Sequence, residues 1–297
     1  MTHMTDVDLL ADPAPDRSTL AARGFVARLS GSQLLLSDVR RTAPDEFRAK
    51  VQWPRVRNRT HDPLLVAETL RQLGVYLPLR CYGVAADSRV LIEELSFELT
   101  PTADDVQTSY KGTEVACTAS VDRGARNVTA DKLRNLGLTA RLSIGERELA
   151  RAHGVARMLS PVAYRAVRTR GPAPSAHDNP QLTPVDPGRV GVTSPDDVLV
   201  AVDTRGAVRV APADPHHPFF HDHPSDHMTG MVLIGAVQQT AALHANEPNL
   251  RLRSCTMRAL RFTEPTPPPT VEFGPDGRFE IRQRGIVTAT GEADFEL

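Results

Sequence analysis

Cysteine is scarce in this chain: Cys81, Cys117 and Cys255 are the only three, they lie far apart, and no two form a CxxC pair. That excludes a disulfide framework and a thiol-based metal centre, and the expectation is a cytoplasmic protein with reduced thiols. An excess of charge of either sign is also missing. Thirty-five basic residues against thirty-six acidic ones give no global electrostatic case for nucleic acid or a membrane surface as partner. No apolar run is long enough to span a bilayer, and the N-terminus has no basic region followed by an apolar stretch of the kind a secretory leader carries.

What is present is enough to build a core. The chain has 297 residues, of which 40% are hydrophobic, sufficient for one large domain or two of ordinary size. Residues 1–22, with Asp12-Pro13-Ala14-Pro15-Asp16, lack a periodic apolar pattern and read as a flexible tail. A second break runs from Gly171-Pro172-Ala173-Pro174 to Pro187-Gly188, where Pro and Gly density disfavours regular structure. This places a linker at 171–188 between a first half, 23–170, and a second half, 189–297.

The halves repeat one another. The run from His61 to Gln72 aligns without a gap on the run from Met228 to Gln239, setting Pro63 on Gly230, Glu68 on Gly235 and Gln72 on Gln239. Both continue as apolar helices. Downstream, Val90–Leu99 and Ser254–Thr263 are strand-like runs, each with a Phe near its end. The second half closes with a hairpin that turns at Gly274-Pro275-Asp276-Gly277 and a last strand through Ile286–Thr290.

The most informative segment runs from Pro218 to Ile234, a polar, His-rich loop (Phe219-Phe220-His221-Asp222-His223-Pro224-Ser225-Asp226-His227) leading into an apolar helix. A helix N-terminus offers unpaired backbone N–H groups and a partial positive charge. Amides near Gly230 and Met231 could therefore hold a polarised carbonyl while a nearby imidazole moves protons, and Gly230 would let a ligand approach the backbone closely.

The segment resembles the dehydratases of fatty-acid synthesis through Phe220 and His223, with Gly235 where those enzymes carry Glu. It more fully resembles the second repeat of the A-factor biosynthesis family, the γ-butyrolactone synthases. Phe219, Phe220, Asp222, His223, Pro224, Asp226, His227, Gly230, Met231, Leu233 and Gln239 fit that pattern; Gly235 and Gln238 replace its Glu and Arg. The first-repeat pattern is kept in full, as Asp62, Pro63, Leu65, Ala67, Glu68, Arg71 and Gln72 after Trp53-Pro54-Arg55.

This resemblance covers most of residues 25 to 297 and implies an α+β double hotdog, two repeats forming an intramolecular pseudo-dimer with long central helices wrapped by antiparallel sheets. It also implies a soluble acyltransferase that moves a 3-oxoacyl chain from acyl carrier protein, or a coenzyme A thioester, to a small hydroxylated acceptor such as dihydroxyacetone phosphate. No cofactor or metal is expected, and homo-oligomer formation stays open.

Hotdog dehydratases draw the His and the acidic residue from different subunits. By that geometry His223 would face Glu68 as the catalytic pair, while the opposite pairing, Val56 with Gly235, has neither group. Arg71, Gln72, Asp222, His227, Gly230, Met231 and Gln239 are the substrate-binding candidates, with Arg55, Arg57 and Arg59 as further phosphate contacts.

Each has a plainer alternative. Glu68 and Arg71, three residues apart, can form an ion pair, and Asp226 and His227 can cap the helix that begins near Thr229. Five of the ten histidines fall between His216 and His227, but the spacing is not that of a zinc motif. Loss of Glu and Arg from the second helix would alter the acceptor subsite, and Gly235 is expected to widen the acyl tunnel. A dehydratase or lyase acting on a 3-hydroxyacyl or polyketide thioester is the alternative enzyme. A non-catalytic hotdog binding protein is the alternative without chemistry.

Overall fold

The computed structural model describes residues 34–54, 62–100, 112–124, 133–169, 180–221 and 225–297. The first half contains β1 (Leu36–Ala43), β2 (Glu46–Trp53), α1 (Pro63–Cys81), β3 (Arg89–Leu99), β4 (Thr113–Asp122), β5 (Asn135–Ile144), β6 (Arg147–Leu159) and α2 (Pro161–Arg168). The second half contains β7 (Leu182–Pro184), β8 (Val200–Asp203), β9 (Val208–Val210), α3 (Gly230–Ala245), β10 (Arg251–Ala259), β11 (Thr270–Phe273), β12 (Arg278–Gln283) and β13 (Ile286–Glu296).

All the strands join one antiparallel sheet in the order β1-β2-β4-β5-β6-β3-β10-β13-β12-β11-β9-β8-β7. Its midpoint is the pairing of β3 with β10, where Leu95 lies opposite Met257 and Phe97 opposite Cys255. Outward from that seam the two halves repeat strand for strand, β6 matching β13, β5 matching β12 and so on to β1 and β8. Alone, each half would leave its seam strand as an unpaired edge; joining the two satisfies both rows of backbone groups.

The helices start where local chemistry directs them. Asp62 accepts from the Leu64 amide at 2.9 Å with Pro63 at the first helical position, and Thr229 accepts from the Val232 amide at 3.3 Å. Early α1 and nearly all of α3 are buried on every side, because each lies between the sheet and the other helix. No helix among the described residues is long and apolar enough to cross a membrane.

Three sequence expectations change. Leu182–Pro184, inside the expected linker, forms an edge strand against β8, a position that tolerates proline because one side of the strand needs no ladder bonds. β10 ends at Ala259, so Leu260 to Thr263 leave the strand, and β13 runs on to Glu296, past the expected Thr290. The tail, 1–22, and the start of the linker, 171–179, lie outside the described residues.

Candidate active site

Glu68 sits two turns into α1 and is 2% exposed. Its carboxylate accepts from Arg71 at both oxygens, 2.7 Å each, and from the Gln72 amide nitrogen at 2.8 Å. A bidentate guanidinium and a side-chain amide supply the hydrogen bonds that a buried carboxylate loses on leaving water. Gln72 completes the chain by accepting the Leu35 amide at 3.0 Å. Trp53 belongs to the same construction, donating from its indole to Thr69 on α1 at 3.0 Å.

Arg71 is one of the residues lining an apolar cleft between α1 and the first-half sheet. Leu70, Gly74, Val75, Val90, Ile92 and Leu138 are among its walls. At Gly74 nothing lies within 4 Å of where a Cβ would stand, so the missing side chain leaves open space there. Leu95, also a wall residue, faces Met257 across the seam, and the Met257 methyl lies 3.6 Å from the Cβ position of Gly230. The N-terminus of α3 and the cleft of the first half thus approach the same stretch of seam. The Gly230 and Met231 amides have no hydrogen-bond partner among the described residues, as expected for the first turn of a helix.

The pseudo-symmetric position differs. A Cβ on Gly235 would lie 2.5 Å from Leu199 Cδ1 and 3.2 Å from the Phe220 ring. The expected widening of a tunnel at Gly235 is therefore corrected: Leu199 and Phe220 fill the space. Phe220 is braced in turn by His217, whose ring lies 4.8 Å away. His217 Nδ1 accepts the Phe219 amide, and its Nε2 meets Asp197 at 2.9 Å. Gln239 repeats the Gln72 brace, accepting the Leu199 amide at 2.7 Å, but donates to the Asp197 carbonyl at 2.8 Å instead of to a carboxylate. Its amide is thus occupied with backbone. Gln238, where the first half has Arg71, is buried, and its Oε1 has no partner among the described residues.

In the loop before α3, Asp222 and His223 lie outside the described residues. Asp226 and His227 do not cap the helix; Thr229 does. Asp226 instead takes the Tyr164 hydroxyl at 2.5 Å and Arg168 Nε at 3.1 Å, both from α2 of the first half, and contacts His227 Nδ1 at 2.9 Å. Arg168 also binds Glu264 at both oxygens. Burial pushes the Asp226 carboxyl up, but the bonds from Tyr164 and His227 and the Arg168 charge outweigh it, leaving it at about 2. Burial lowers the His227 imidazole more than Asp226 raises it. The Tyr164–Asp226 contact joins residues far apart in sequence, so no local pattern revealed it. No group of three or more His, Cys, Asp or Glu among the described residues could hold a metal.

With this geometry in view, the family model for the A-factor biosynthesis hotdog domain matches residues 10–160 and 173–263. The chain belongs to the A-factor biosynthesis family. A relative from Streptomyces virginiae, named 2-oxo-3-(phosphooxy)propyl 3-oxoalkanoate synthase, is 30% identical over 246 residues, covering 80% of each chain. One of the same name from Streptomyces griseus subsp. griseus is 27% identical over 290 residues, covering 88% of this chain and 86% of its own. Among solved structures, an acyl-ACP thioesterase from Bacteroides thetaiotaomicron aligns with a TM-score of 0.47 at 15% identity, covering 84% of this chain and 98% of that one. As a family member, the chain is an A-factor-type enzyme with the double-hotdog fold, its two matched segments corresponding to the two halves.

Proposed function

We propose that the chain transfers a 3-oxoacyl group from a thioester of acyl carrier protein or coenzyme A to the hydroxyl of a small acceptor such as dihydroxyacetone phosphate, for γ-butyrolactone-type signal or secondary-metabolite synthesis. The observation that carries this reading is the buried Glu68–Arg71 pair, whose Arg71 lines an apolar cleft next to the seam that the α3 N-terminus also approaches. The acyl chain occupies the cleft. The thioester oxygen lies at the Gly230 and Met231 amides, which stabilise the tetrahedral oxyanion. Arg71, held by Glu68, supplies a cation for the 3-oxo group or the phosphate, and Glu68 and His223 are the catalytic pair contributed by the two halves. Asp222 and His227 are substrate-binding residues; Gln72 and Gln239 brace the helices that carry the site. No covalent acyl-enzyme is needed.

The relatives' name, a synthase of phosphooxypropyl 3-oxoalkanoates, supports the same donor and acceptor classes. The test is mass spectrometry of purified protein with a 3-oxoacyl thioester, with and without dihydroxyacetone phosphate, beside a 3-hydroxyacyl thioester. An acceptor-dependent phosphorylated ester lost in Glu68→Ala and His223→Ala supports the reading. Water loss from the 3-hydroxyacyl control without ester formation replaces transfer with a dehydratase activity.

A further inference from the structure

The pair formed by Asp226 and His227 is more firmly anchored than a surface loop requires. Asp226 is held by Tyr164 and Arg168 of the first half, and Arg168 also donates to the Asp226 carbonyl at 2.8 Å. One side of the imidazole rests on Phe262, with ring centroids 4.9 Å apart. The Met228 amide, bonded to the Thr263 carbonyl at 2.8 Å, fixes the backbone that follows. Three residues after His227, α3 begins at Gly230.

Because Asp226 is ionised and lies against Nδ1, the proton of a neutral His227 sits on Nδ1 and Nε2 keeps its lone pair. Nε2 has no hydrogen-bond partner among the described residues. The ungapped repeat places Arg59 and Thr60 opposite Asp226 and His227, so the pair occurs once per chain.

We propose that a second histidine acts beside the Glu68–His223 pair: His227 is the base that takes the proton of the acceptor hydroxyl, and Asp226 is the positioning residue that fixes its tautomer. This rests on the acyl-transfer reading above. The acceptor O–H bond breaks as its oxygen attacks the thioester carbon, and the proton passes to Nε2. The C–O bond forms, the C–S bond breaks, and the departing thiolate takes a proton back from the imidazolium, so ester and thiol are the only products. Among the described residues, the charged and titratable groups around the ring are Asp226 on its own loop, Tyr164 and Arg168 on α2, Glu264 after β10, and Arg89 on β3, whose guanidinium lies over the Tyr164 ring.

The test uses the full chain in two measurements. In nitrogen-resolved NMR of the free protein, the His227 signals, assigned by their loss in His227→Asn, should show protonated Nδ1 and bare Nε2, a preference that Asp226→Asn removes; protonated Nε2 would overturn the proposal. In the transfer assay, His227→Asn keeps a donor toward Asp226 but has no base, and should lower kcat by about 10²-fold or more with little change in KM. Asp226→Asn should move the acid limb of the kcat/KM profile to lower pH, because Asp226 raises the His227 pKa. Wild-type kcat in a folded His227→Asn sinks the proposal and leaves acyl transfer standing. No ester from the wild-type protein with any acceptor overturns both.

Discussion

The amide nitrogen of Gln72 donates to the Glu68 carboxylate at 2.8 Å, whereas its counterpart Gln239 donates to a backbone carbonyl. One helix is thereby braced around a buried charge and the other around backbone alone.

Breaking the charged brace should be costly. Arg71→Met leaves Glu68 buried without its cation and should destabilise the protein by about 3 kcal/mol, with much of the loss recovered in the Glu68→Met/Arg71→Met double variant. Urea melts of the three proteins decide it; equal midpoints for Arg71→Met and wild type would refute the ion pair as drawn.

The second helix should reject its missing carboxylate. Gly235→Ala gains up to about 1 kcal/mol of helix propensity but meets Leu199 at 2.5 Å, and overpacking of this kind costs about 1–3 kcal/mol. A net loss is expected, relieved when Leu199→Ala is added. Gly235→Glu should be worse and should create no second site, as a titration of bound ligand per chain would show.

Two neighbouring glutamines should respond in opposite ways. Gln238→Met removes a buried acceptor that has no partner among the described residues and should raise the melting temperature. Gln239→Met strips partners from the Leu199 amide and the Asp197 carbonyl and should cost about 1–3 kcal/mol.

Substituting Gly74 probes the cleft. Gly74→Ala should stabilise α1 by up to about 1 kcal/mol. Gly74→Leu should fill the open space and reduce turnover of long acyl chains while sparing short ones. Equal loss at every chain length would place the chain elsewhere.

Acid stability follows from the two shifted groups before α3. His227 has a depressed pKa in the folded protein, so the stability its neutral form contributes is present above the unfolded value of about 6.5 and declines as pH falls through the folded value. The Asp226 contribution is complete above about 3.9 and is lost as pH falls towards about 2. His227→Asn should flatten the first decline and Asp226→Asn the second in denaturant melts taken across this range.

The two long helices, the final hairpin and the repeat were legible in the sequence because periodicity and turn chemistry are local, whereas the short helix α2 was not foreseen. The Glu68–Arg71 pair was legible for the same reason, three residues being one helical turn. What stayed hidden depends on distant partners. Leu199, which closes the space at Gly235, comes from a segment 36 residues earlier in the sequence, and Asp226 looked like a cap until α2 supplied Tyr164 and Arg168. The strand at Leu182–Pro184 was masked by prolines that an edge position accommodates.

The seam between β3 and β10 also bears on how such a molecule can change. In a hotdog built from two identical chains, every substitution arrives twice, so a residue needed at one site cannot be surrendered at the other. Here the halves are joined in one polypeptide, and each position is inherited singly. Glu68 can be retained while Gly235 is released to packing against Leu199 and Phe220, so matching positions of the two halves are free to take different tasks.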